Sequence, residues 1–62
     1  MDLRPTEVLE TEYNPLEDTH GFRLYDTEKH VGVQRYFKQH EMVIIEQALE
    51  EMLADLRYLT SE

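Results

Sequence analysis

Sixty-two residues without cysteine, fourteen of them acidic and six basic for a formal net charge of −8, allow one domain at most and exclude disulfides and cysteine-containing zinc sites. That charge disfavours direct contact with nucleic acid or an anionic membrane surface and favours a basic partner. A chain this short gains about as much from burying apolar surface as it loses on ordering, so a second chain is the expected source of further stability.

Residues 1–20 carry six acids and one base, residues 21–40 two acids and four bases, and residues 41–62 six acids and one base, so acidic ends flank a mildly basic middle. No basic N-terminal region is followed by an apolar run, and no segment reaches about 18 apolar residues. Neither secretion nor a membrane span is indicated, and a cytoplasmic protein is expected.

The first 20 residues hold both prolines, Pro5 and Pro15, and no sustained apolar period. They read either as an acidic arm that orders on contact or as one short strand over Thr6–Tyr13. Asn14-Pro15 and Glu17-Asp18-Thr19 carry turn chemistry. Over residues 21–37 a β-hairpin is expected. Phe22 and Leu24 alternate with Arg23, and Val31 and Val33 alternate with Gly32 and Gln34, which predicts strands near 21–25 and 30–36 joined by a loop at Asp26–Lys29.

From Lys38 to Leu59 there is no Gly or Pro, and a helix over 38–60 is predicted. Met42, Ile45, Leu49, Met52, Leu56 and Leu59 recur at alternating steps of three and four, a heptad seam with Met42, Leu49 and Leu56 at a and Ile45, Met52 and Leu59 at d. Ile44, Ala48 and Leu53 widen the apolar surface, and Val43-Ile44-Ile45 makes the first turns apolar nearly all round. The competing reading makes the β-branched run Val43–Ile45 a third strand. No Ser, Thr, Asp or Asn marks the helix start. The fold class is therefore α+β: a β-hairpin or small antiparallel sheet followed by one long C-terminal amphipathic helix, in a single domain over 1–62. The helix is expected to form a two-fold homodimer through its seam. The alternative is a monomer whose seam covers its own hairpin.

No nucleophile elbow, phosphate loop, dinucleotide fingerprint or HExxH motif is present, so no catalytic residues and no cofactor are expected. His20, His30 and His40 stand ten residues apart, a spacing that matches no metal-ligand pattern, and each falls at an element end; they read as solvated or capping side chains. Glu46 with Glu50, and Glu51 with Asp55, are like-charge pairs four apart that each weaken a helix by about 0.2–0.5 kcal/mol. They read as a solvated face or, with Glu7, Glu10, Glu12, Glu17 and Asp18, as carboxylates that stand in for phosphates in a basic groove. Four of the six aromatics lie in or beside the hairpin, and Tyr36-Phe37 cannot both point inward, so exposed Tyr25 and Tyr36 beside Arg23 and Arg35 suit a protein interface.

These features together predict a small acidic, non-enzymatic interaction module. The leading expectation is an inhibitor or regulator of the phage or mobile-element type, binding a basic or nucleic-acid-binding target protein through Glu46, Glu50, Glu51, Asp55, Tyr25 and Tyr36. A structural or assembly subunit, or an antitoxin-like partner pairing through its helix, is the alternative.

Overall fold

Alternation in the middle of the chain fixes the sheet. In β2 (Thr19–Asp26), Phe22 and Leu24 point to one side and are buried, while Arg23 between them is exposed on the other. The computed structural model describes residues 1–61. β2 is the central strand of an antiparallel sheet, flanked by β1 (Glu7–Asn14) and β3 (Val31–Lys38) in the order β1-β2-β3. The register aligns Leu9, Leu24 and Val33 in one row across the three strands and Thr11, Phe22 and Arg35 in the next. The expected hairpin is present with longer strands, and in place of a short strand over Thr6–Tyr13 or a loose arm there is a full edge strand over Glu7–Asn14.

Both turns span four residues and end in a left-handed residue, Asp18 at φ 51° and His30 at φ 57°. Each is anchored by the side chain that closes the preceding strand. Asn14 Oδ1 accepts the Leu16 N–H at 3.0 Å, and Asp26 Oδ1 accepts the N–H groups of Glu28 and Lys29 at 2.9 Å each. Asp26 also accepts the Thr6 hydroxyl at 3.1 Å, so the buried carboxylate ties the turn to the chain before β1.

Beyond β3 the chain enters a 3₁₀ segment, Gln39–Ile44, and only then α1 (Ile45–Thr60). The helix expected from residue 38 thus begins late. Its entry has no capping Ser, Thr, Asp or Asn; the Lys38 N–H is satisfied by Glu41 Oε1 at 2.8 Å, and the β-branched run Val43–Ile45 crosses the junction. That run is not a third strand. Nor is it buried all round, because Val43 is 89% and Ile44 52% exposed.

α1 lies across β2 and β3 on a single side of the sheet. Its Ala48, Met52, Leu53 and Leu56 meet Phe22, Leu24 and Phe37, with Leu9, Val31, Val33, Met42, Ile45 and Leu49 packed at the margin. Phe22 and Phe37 meet edge to face at 5.8 Å. Met52 and Leu56, at the centre of the expected dimer seam, are fully buried in the chain's own core. Within the chain the middle of the seam covers the sheet, while its other four members, Met42, Ile45, Leu49 and Leu59, retain some exposure. A hairpin needs one face covered, and the only long apolar surface in the sequence supplies that cover.

Candidate functional site

With α1 on one side, the other side of the sheet carries no layer. Its side chains form rows set by register. Glu10, Arg23 and Gln34 make one row, Glu12, Gly21 and Tyr36 the next, and Val8, Tyr25 and Gly32 a third. Neighbouring Tyr36 and Phe37 divide as expected, Phe37 into the core and Tyr36 outward at 59% exposure.

The two glycines shape this face. A β-carbon on Gly32 would lie 2.9 Å from Tyr25 Cβ, and one on Gly21 would lie 3.0 Å from Glu12 Cγ and 3.1 Å from both Glu12 Oε1 and Tyr36 Cε1. Glu12 and Tyr36 thus lean in from opposite strands over a central strand that has no side chain there. Gln34 Nε2 donates to the Tyr36 hydroxyl at 2.7 Å and holds the ring. A cavity of about 220 Å³ runs between Glu10, Glu12, Gly21, Arg23 and Gln34, and a neighbouring one of about 580 Å³ runs between Glu12, Tyr36 and Lys38. One row away, the Arg23 guanidinium lies 4.7 Å above the Tyr25 ring and 3.8 Å from Glu10 Oε1.

The residues expected to bind a partner are not gathered in one place. Tyr25 and Tyr36 lie on the open sheet face, whereas Glu46, Glu50, Glu51 and Asp55 lie on α1, across the sheet from them. At about 100° per residue the two acid pairs fall on different flanks of the helix. Glu50 faces the N-terminal segment, 3.5 Å from the Met1 ammonium, and Glu51 faces β3, 3.7 Å from an Arg35 nitrogen. No single row of carboxylates results. The sequence reading passed over Gly21, Gln34 and the pairing of Glu12 with Tyr36, whose signal is the alternation of Glu10 and Glu12 once β1 is accepted as a strand.

Glu7, counted among the target-facing acids, is instead 6% exposed and internal. Arg57 Nε and Nη2 donate to its two oxygens at 3.1 and 3.0 Å, and the Arg4 N–H donates at 2.7 Å. Arg57 holds the Glu7 carboxyl below its ordinary value against the opposing effect of burial, and Glu7 in turn raises Arg57. Arg57 also donates to the Asp2 carbonyl at 2.8 Å, so the last turn of α1, the start of β1 and the N-terminal segment are clamped together.

The histidines serve separate elements. His20 stacks on Tyr13 at 4.5 Å and bonds Gln39 Oε1 at 2.7 Å, His30 closes a turn, and His40 sits in the 3₁₀ segment. Among the described residues, no group of three His, Asp or Glu side chains is placed to hold a metal ion, and no helix is long and apolar enough to cross a membrane. Comparison with protein-family models, curated proteins and solved structures gave no significant match.

Proposed function

We propose that this chain is a small non-catalytic binding module that attaches to a basic partner protein through the open face of its sheet and thereby inhibits or regulates it. The observation that carries this is the composition of that face: Arg23 and the half-buried Tyr25 on β2 and the exposed Tyr36 on β3 stand on the side of the sheet away from α1. A solvated face is common in antiparallel sheets. Tyr and Arg set beside strand glycines are not what solvation requires, and they are the types over-represented among energetic anchors of interfaces. The net charge of −8 steers such a module toward a basic protein. The helix acids, divided between two flanks, support a general attraction more than a phosphate-like row.

Capture from a lysate of the source cell with paired variants tests this. A Tyr25→Ala/Tyr36→Ala chain is expected to lose the partner, whereas Gln at 46, 50 and 51 with Asn at 55 is expected to keep it, both chains melting near the parent temperature. Loss of the partner with the helix variant and its retention with the tyrosine variant would overturn the assignment.

A further inference from the structure

We infer that Glu12 and Tyr36, facing each other over Gly21, receive a cationic side chain, arginine above all, from an extended basic segment of the partner; this rests on the protein-binding reading of the face. The adjacent rows show what such a pair accepts. Glu10, the Arg23 guanidinium and the Tyr25 ring form a carboxylate, cation and aromatic stack within the chain, with the guanidinium 3.8 Å from the carboxylate and 4.7 Å from the ring centroid. In the next row Glu12 and Tyr36 stand on the two outer strands, a carboxylate and an aromatic ring on either side of Gly21, where the central strand supplies no cation.

Among the described residues Glu12 has no hydrogen-bond or ion-pair partner, although Gly21 beneath it is buried and the cavities beside it are lined by Glu10 and Glu17 as well. The nearby cations are engaged elsewhere. Arg23 lies on Tyr25, and Lys38 Nζ donates to the Glu17 carbonyl at 2.6 Å and to the Thr19 hydroxyl at 3.3 Å. A guanidinium entering between Glu12 and Tyr36 gains a charge-assisted hydrogen bond on one side and a ring face on the other. Because the cavities follow the strands, side chains at alternate positions of an extended segment can reach them.

The test is amide NMR titration of the labelled full chain with the peptide (Arg-Ser)₄. Shift changes are expected to concentrate at Glu12, Gly21 and Tyr36. Glu12→Gln and Tyr36→Ala are each expected to weaken the peptide about tenfold. Glu46→Gln, which removes the same charge from the helix, is expected to change affinity less than about twofold. Shifts spread over Glu46, Glu50, Glu51 and Asp55, or equal weakening by Glu12→Gln and Glu46→Gln, would show diffuse attraction and overturn the site. Shifts at the same face on concentrating the chain alone, without peptide, would mean that a second copy occupies it and would also overturn the site. If the peptide site fails while partner capture still depends on Tyr25 and Tyr36, the face stands as an interface and only its cationic guest is wrong; if capture is also indifferent to them, both fall.

Discussion

Leu56→Ala is expected to cost about 2–5 kcal/mol, and in urea most of that chain should be unfolded before the parent begins to melt. Leu56 is fully buried in a core that, among the described residues, comprises seven buried apolar side chains. A domain near this size rarely holds more than about 3–5 kcal/mol in reserve, so one such cavity removes most of it. Leu59, three residues on and equally a member of the heptad seam, is 54% exposed. Leu59→Ala is therefore expected to stay within about 0.5 kcal/mol of the parent. The contrast separates the two uses of an apolar stripe: a seam that met another chain would suffer at both positions, whereas a stripe that covers its own sheet suffers only where the sheet lies beneath it.

Acid should destabilise the protein through two buried carboxylates, Glu7 and Asp26. Hydrogen bonds from Arg57 lower Glu7 from its ordinary value of 4.5, and hydrogen bonds from the Lys29 and Glu28 amides and the Thr6 hydroxyl lower Asp26 from 3.8. A carboxyl held below its unfolded value contributes stability above that unfolded value and gives it up as pH falls through the folded one. The parent is accordingly expected to begin losing stability as pH drops below about 4.5, with a further loss below about 3.8. Glu7→Gln should melt lower than the parent at neutral pH, because the buried side of the Arg57 clamp no longer carries charge. Its stability should then stay flat until the Asp26 range. Glu10→Gln, which removes a pair exposed on both sides, is the control; it should lose much less at neutral pH and keep the parent's acid profile. Thermal melts at closely spaced pH values read all three.

Much of the architecture was visible in the residues. Phe22 and Leu24 flanking Arg23 required a strand with one covered face, and the spacing of the C-terminal apolar residues required a helix. β1 was harder to read because its core-side positions are Glu7, Leu9, Thr11 and Tyr13, only one of them aliphatic. It is held by pairing along its full length with β2 and by the Arg57 clamp, and neither leaves a period in the sequence. Helical spacing likewise tells which side of a helix is apolar and not what covers it. Two occupants, a second chain and the chain's own sheet, fit the same pattern; within the chain the sheet takes the middle of the stripe. The late helix start follows from local chemistry: β-branched residues at 43–45 and no capping side chain leave the entry as a tighter 3₁₀ turn.

The open face was legible only in fragments. Tyr25 and Tyr36 were identifiable as surface aromatics, but Glu12 joins Tyr36 only through the β1 and β3 register across Gly21, a juxtaposition of residues 24 apart in sequence. The helix acids were conspicuous by number, and winding around the axis then placed them on different flanks.

Sedimentation velocity of the unmodified chain at micromolar concentration, repeated with Leu49→Lys, addresses the main point most directly. If each chain covers its own sheet with its own helix and leaves the opposite face for a partner, a cooperatively folded 7.5 kDa monomer is expected, and lysine at the half-buried position 49 should lower its melting temperature without changing the mass of the folded form. A dimer that Leu49→Lys splits into monomers of undiminished stability would contradict it.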